Sequence, residues 1–443
     1  MTGLTLTLTL TLTHPRIVSG QEVVSVTLGQ ALEAAATAHP AVAAADASAR
    51  ALQVAARAGD AYLWPRLEAT LGGVRTSDPV AAFGTRLRQG TIRAEDLDPA
   101  RLVDPGAVAD WTGGLGIEWR PLDLGAAHAA TAADRSADAA LARASWTRNE
   151  IRYETRVAYL QAQAAEAEVT ATYAHVRAAA ATLEAVRSRV GEGVASDADL
   201  LQARAELDAA EAGRVRAEAA RAERWDRLAV WMGLPPSVVP VPADPLPEPL
   251  RSEAAQGHDA ELPTSRPDLE AWNAEVAAAG ARTRAAEGAR LPALGGAARW
   301  TGHGEAPWDR AGASWSVGVE LRVPIFAGGS LGAGEAAARA AEDAARFRRD
   351  ARIRSARADL AAVARRVASS AEVARAAAAA TRAADEAVAL LRLRYEEGLT
   401  TTAELLASES RAASLRADAV RATLDHHVAA ARLALLTDEG IGS

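Results

Sequence analysis

The stretch GGSLGAG, Gly328 to Gly334, comes nearest in this chain to a loop that could hold phosphate. It follows a strand-like run and opens a helix-like one, the setting in which backbone N–H groups gather an anion. The G-x-G-x-x-G order is missing. A Walker motif is excluded as well, because all 49 basic residues are arginine and none is lysine. The stretch reads as a tight turn.

Histidine offers no better site. His426 and His427 are adjacent, so on a helix they point to different sides and cannot chelate one ion. His14, His39, His128, His175, His258 and His303 show no ligand spacing. The absence of cysteine excludes disulfides, thiolate metal sites, a cysteine nucleophile and a lipid-modified cysteine. No serine has a nucleophile-elbow context. The residues predict no enzyme, no cofactor and no metal.

Two carboxylates remain, and they are equivalent. Asp199 follows RVGEGVAS and Glu404 follows RYEEGLTT, each just after a Gly-containing turn. Ser196-x-x-Asp199 and Thr401-x-x-Glu404 both fit a capping box, which alone explains their spacing.

These twin turns belong to a duplication of nearly the whole chain. HPAVAAADASARALQVAARAGDAYLWPRLEA from His39 answers RPDLEAWNAEVAAAGARTRAAEGARLPALGG from Arg266. WTGGLGIEWRPLDLG from Trp111 answers WSVGVELRVPIFAGG from Trp315. A first repeat is expected over 26–233, with strands about 65–76 and 110–121 and long helices about 125–190 and 196–232. A second is expected over 268–438, with strands about 292–302 and 314–323 and long helices about 331–394 and 402–437. The segment 234–267 between them holds nine of the 19 prolines and reads as a linker. A short tail, 439–443, closes the chain. Residues 1–25, which begin MTGLTLTLTLTLTHPRIVSG, have no basic n-region and no continuous apolar core. They read as low complexity or a misplaced start codon rather than an ordinary secretory signal.

The fold expectation is mainly α, with a membrane β-sheet. Each half runs helix, strand, strand, long helix, helix. At 1.5 Å per residue the first long helix of each half would extend roughly 100 Å. Val169, Tyr173, Val176, Ala180, Leu183 and Val190 follow the 4-3 spacing of a coiled-coil seam. The net charge of −8 is spread along the chain, which argues against a nucleic-acid surface. No apolar run approaches the ~20 residues of a membrane-spanning helix.

The strands point to a membrane instead. From Trp315 to Val323 every odd position is apolar, while Glu320 and Arg322 lie on the other face. Trp111 to Trp119 alternates the same way against Glu118 and Arg120. Each run is about ten residues, the length a tilted strand needs to cross a bilayer. Trp111, Trp119, Trp300 and Trp315 sit in these segments, as interfacial aromatics would. Four strands cannot close a membrane barrel, and an open edge in lipid leaves backbone groups unsatisfied. Several chains must contribute. The competing reading is a coiled-coil scaffold, periplasmic or cytoplasmic, without a pore.

The duplicated plan and short motifs resemble the TolC-like outer-membrane efflux proteins. VTLGQALEAAATAHPAV is similar to the family's opening helix. PLDLG and PIFAGG are similar to its strand-to-helix junctions, and GEGVASDADLLQA and EEGLTTTAELLAS to its helix-tip turns. The chain departs from the family in its N-terminus, in its short tail and in a long first outer loop, Arg75 to Asp110. The resemblance implies a homotrimer in the outer membrane, with a twelve-stranded barrel continued by an α-helical barrel of long coiled-coil helices in the periplasm. It implies a periplasmic gate at Glu404 with Asp199, while Glu118, Arg120, Glu320 and Arg322, charges repeated at matching places on the strands' polar faces, are themselves expected to face a water-filled lumen. The family's usual second acidic position is Ala407 here. Gly193, Val194, Gly398 and Leu399 match the tips that meet a periplasmic adaptor, which links to an inner-membrane pump of RND, ABC or MFS type. The implied function is the exit duct of a tripartite efflux pump or a type I secretion system.

Overall fold

The computed structural model describes residues 16–18, 21–248, 262–309 and 311–437. The Leu-Thr repeat, the middle of the proline-rich segment (249–261) and the tail 439–443 lie outside the described residues. The elements are β1 (Arg16–Val18), β2 (Gln21–Val26), α1 (Leu28–Ala38), α2 (Pro40–Gly59), β3 (Arg66–Thr76), α3 (Pro79–Gln89), α4 (Pro99–Val103), β4 (Val108–Leu122), α5 (Leu124–Gly191) and α6 (Asp197–Met232). After these come β5 (Val238–Pro242), α7 (Pro267–Gly288), β6 (Ala293–Gly304), β7 (Gly312–Arg322), α8 (Ser330–Glu396) and α9 (Thr402–Thr437). The duplication is plain in the long helices: α5 has 68 residues and α8 has 67, while α6 and α9 have 36 each.

The chain forms two compact units, and neither is a sequence repeat. One unit takes Ala49–Ala140 with Ala271–Arg349; the other takes Met1–Ser48, Leu141–Glu270 and Asp350–Ser443. The reason lies in the strands. Each half supplies only a hairpin, β3–β4 or β6–β7, which is marginal alone. Pairing of β4 with β6 merges them into one sheet of order β3-β4-β6-β7, antiparallel throughout.

The strand unit also corrects the expected outer loop. Residues between β3 and β4 fold into α3 and α4. Asp78 caps α3, its carboxylate accepting from the Ala81 N–H at 2.7 Å, with Pro79 in the first turn. Gly90, at φ 69°, ends the helix. Where β4 and β6 meet the helices, a Cβ on Gly288 would sit 2.8 Å from the Gly125 nitrogen, so α7 and α5 approach there through glycine.

The second unit corrects two further expectations. Residues 21–25, assigned to the low-complexity terminus, belong to β2, which runs on into Val26, and the proline-rich linker contains β5. They pair in parallel from Glu22↔Val238 to Val26↔Pro242, in a sheet of order β1-β2-β5. Pro240 and Pro242 lack an N–H, and β5 can carry them because it lies at the sheet edge. The core beneath is small-residue and aromatic: Val26, Ala31, Ala158, Tyr159, Ala162, Leu228 and Met232 cluster, and the Tyr159 hydroxyl donates to the Val26 carbonyl at 3.0 Å. Along α5 the expected seam is only partly buried. Val169 and Leu183 are buried, but Tyr173 surfaces and donates its hydroxyl to Glu218 at 2.6 Å. His426 and His427 do diverge: His426 bonds the Ser370 hydroxyl at 3.2 Å, while His427 Nε2 contacts the Pro247 carbonyl at 3.0 Å.

Candidate functional site

In an antiparallel sheet, cross-strand partners project to the same face. Register therefore sorts every strand residue. One rung pairs Arg66, Glu118, Ala297 and Gly318 in turn, and the next on that face joins Glu68, Gly116, Arg299 and Ser316. Thr70, Gly114, Thr301 and Ser314 make the next. Nothing larger than alanine is apolar on these rungs. The opposite face carries Leu67, Ile117, Ala298 and Val317 on one rung and Ala69, Leu115, Trp300 and Trp315 on another. Thus the two-sidedness seen strand by strand is continuous across the sheet.

The apolar face has no cover among the described residues. Val319 is 78% exposed, Trp315 77% and Leu67 71%. A contiguous apolar surface of this kind marks an interface with a partner or with lipid. Trp111 and Trp119 stand near opposite ends of β4 on that face; the Trp119 indole donates to the Leu63 carbonyl at 3.0 Å. Trp300 and Trp315 are direct partners on the rung of Leu115, midway between those of Trp111 and Trp119, and so stand away from the strand ends where interfacial aromatics are expected.

The expected polar residues fall into two places. Arg120, Glu320 and Arg322 gather with Asp123 around a cavity of about 520 Å³ near the strand-to-helix junctions. Arg322 donates to Glu320 at 2.9 and 3.1 Å. Glu118 lies apart from them, beside Arg66 and Glu68. The sheet ends at β3 and β7, and neither has a further strand partner among the described residues.

The second candidate region is the pair of helix-tip turns. Gly193 has φ 77° and Gly398 φ 76°, a left-handed conformation that costs other L-residues roughly 1–2 kcal/mol. The next residue in each turn reaches back identically: the Val194 N–H donates to the Arg189 carbonyl at 2.9 Å and the Leu399 N–H to the Arg394 carbonyl at 2.8 Å. This geometry turns Val194 and Leu399 outward, where both are exposed.

Both capping boxes are formed. Asp199 accepts from the Ser196 N–H at 2.9 Å while its own N–H donates to the Ser196 hydroxyl at 3.2 Å. Glu404 accepts from the Thr401 N–H at 3.1 Å and from the Thr400 hydroxyl, and its N–H donates to the Thr401 hydroxyl at 3.2 Å. The Ser196 hydroxyl and N–H hold the Asp199 carboxyl below the usual carboxylate range. The Thr400 hydroxyl and the Thr401 N–H do the same for Glu404. Both are anionic at neutral pH.

Beneath the turns lies a polar cluster that sequence reasoning missed. Glu409 is buried and takes hydrogen bonds from the Thr182 hydroxyl at 3.0 Å and from Arg392 at 2.6 Å, joining α5, α8 and α9. Arg189 donates to the Tyr395 carbonyl and lays its guanidinium 4.5 Å from the centre of the Tyr395 ring. The duplication puts Arg204 opposite Glu409 and Val190 opposite Tyr395, so these contacts arise where the halves differ. That asymmetry was the available signal.

Among the described residues there is no cluster with metal-holding composition, and no helix is long and apolar enough to cross a membrane. The profile of a family described as outer membrane efflux protein matches residues 31–234 and 261–438. No curated protein matches the chain. Among solved structures, a membrane protein from Pseudomonas aeruginosa is similar over 93% of each chain, at 21% identity and a TM-score of 0.79. The CmeC outer membrane channel of Campylobacter jejuni is similar over 94% of this chain and 86% of its own, at 14% identity and a TM-score of 0.78. The outer membrane protein VceC of Vibrio cholerae is similar over 94% and 96%, at 20% identity and a TM-score of 0.76. At these identities the structures establish the fold.

Proposed function

Because the chain belongs to the outer membrane efflux protein family, we propose that three copies join edge to edge, β7 of one against β3 of the next, into a twelve-stranded barrel. The chain is an outer-membrane efflux channel subunit, an exit duct rather than a scaffold. The observation that supports the barrel is the four-stranded sheet: one continuous apolar face, one polar face and two open edges. In lipid an open edge strands its N–H and C=O groups, so the edges must meet other strands. Because order β3-β4-β6-β7 is antiparallel throughout, β3 and β7 run oppositely. A β7–β3 contact between copies therefore continues the alternation. Glu118, Arg120, Glu320 and Arg322 then line a water-filled lumen, and Trp111, Trp119, Trp300 and Trp315 face lipid.

The helices lead from this barrel into the periplasm. Val194 and Leu399, held out by the glycines beside them, suit a hydrophobic contact with a periplasmic adaptor. That adaptor would connect the duct to an inner-membrane pump of RND, ABC or MFS type, or to a type I secretion system. Three Glu404 carboxylates, with Asp199 outside them, would surround the periplasmic mouth and concentrate cations there.

Glu404→Gln tests the mouth. Glutamine also serves in a capping box, so the turn survives while the charge is lost. Single-channel current in planar bilayers should show weaker cation preference and lost block by multivalent cations added on the periplasmic side. Unchanged selectivity and block, with the assembly intact, would reduce Glu404 to its cap.

A further inference from the structure

The segment between β3 and β4 is not needed to turn the chain. Thr76 and Val108 are already Cα partners, so a short turn could close this hairpin. The chain instead inserts α3 and α4 there, and register decides which face they cover. Val108, Asp110 and His303 all project from the polar face, and all three are buried. What covers them is α3: Ala82, Thr85 and Gln89 are its buried residues. Gly312 lies on the same face, paired with His303, and a Cβ there would run into the Arg88 carbonyl oxygen. The end of α3 thus lies flat on the polar side.

A specific latch holds it. The Gln89 amide donates to the Ala109 carbonyl at 2.8 Å, to the Asp110 carboxylate at 3.1 Å and to the Gly304 carbonyl at 3.0 Å. His303 Nδ1 lies 3.1 Å from Asp110 Oδ2, and Arg88 approaches that oxygen at 3.9 Å. Arg86 ties down the rest by pairing with buried Asp96 at 2.5 Å and donating to the Pro105 carbonyl at 3.1 Å. Above the latch, Val80 and Val103 are exposed at 82% and 75%, with Leu87 and Leu97 also uncovered. An apolar top on a polar wall is unexplained by a simple connection.

We propose that residues 77–107 are a lid on the lumen side of the barrel's outer mouth, latched by Gln89 onto Asp110 and Gly304, that bars bulky solutes from entering. This rests on the reading of the polar face as lumen. The apolar side chains of Val80, Leu87, Leu97 and Val103 would be covered by the lids of neighbouring copies, narrowing the mouth.

The absence of native cysteine makes a clean test. Ser316→Cys places one thiol on the polar face, further along β7 than Gly312. Intact cells are treated from outside with a small charged thiol reagent or with a polymer-linked maleimide. The small reagent should label Ser316→Cys at the same rate with or without the lid. The polymer should label it about tenfold faster once residues 79–105 are replaced by a short glycine-rich turn. Gln89→Leu, which keeps the size but removes the buried hydrogen bonds, should move the rate in the same direction. If the deletion does not assemble, Gln89→Leu carries the comparison. Equal polymer rates with intact and released lids would overturn the lid. Val317→Cys on the other face separates the two readings. Labelling of Val317→Cys in place of Ser316→Cys would instead overturn the assignment of the lumen.

Discussion

Val317→Arg should cost roughly 2–4 kcal/mol and block membrane assembly, because it puts a guanidinium on the lipid side near mid-membrane. Val317 shares its rung with Leu67, Ile117 and Ala298, and this rung lies between those of Trp111 and Trp119. Depth decides the size of the effect. Val319 is level with Trp119 in the ladder, nearer one end, so Val319→Arg should cost less. On the polar face, proposed above to line the lumen, Glu320 is exposed, so Glu320→Gln should assemble normally and alter ion selectivity alone. The measurement is the yield of folded protein in the outer-membrane fraction, compared across the three variants. Equal yields for Val317→Arg and Glu320→Gln would reverse or abolish the assignment of faces.

Arg266→Ala should be the most destabilising change outside the sheet. Arg266 is buried and forms a fork-to-fork pair with buried Asp268, Nε to Oδ1 at 2.6 Å and the terminal nitrogen to Oδ2 at 2.8 Å. It also donates to the Leu436 carbonyl at 3.4 Å and lies 5.2 Å from the centre of the Trp146 ring. One side chain thereby ties the start of α7 to the end of α9 and to α5. Removing it strands the Asp268 carboxylate, which the half-exposed Arg352 approaches at 3.8 Å. Breaking a buried pair from one side costs about 3–5 kcal/mol, whereas removing both charges costs far less. The thermal midpoint of helix loss should therefore fall sharply in Arg266→Ala and recover in part in Arg266→Met/Asp268→Leu. Equal loss in the single and double variants would show that packing, not the stranded charge, sets the effect.

The parts legible in the sequence are those where one physical signal acts alone. Alternation across Trp111–Trp119 and Trp315–Val323 has a period of two, and no helix can produce it. The twin turns are legible because left-handed glycine before a capping box leaves a fixed pattern, met at both Gly193 and Gly398. Where signals conflict, legibility is lost. Pro240 and Pro242 argue against a strand, yet an edge position removes the objection, and edges cannot be seen in one segment. Helix α3 hides within an apparent loop although Asp78-Pro79 and Gly90 mark its ends, because Gly84 and a short amphipathic run weaken the interior. The Glu409 cluster and the Arg266 pair need tertiary structure: their contacts reach across distant segments, and neither has a local spacing that announces it.

The proposed barrel requires β7 of one copy to meet β3 of the next in a closed ring of three. Since the chain contains no cysteine, introduced pairs report this contact alone. One cysteine is walked along β3 from Leu67 to Leu71 and the other along β7 from Val317 to Leu321. The protein is oxidised in the membrane and run on a denaturing gel. Within one chain β3 and β7 are separated by β4 and β6, so any bond forms between copies. A ladder that ends at three chains, for the pairs that fall in register, is the predicted result. Monomer at every pair, or a ladder continuing beyond three chains, would contradict it.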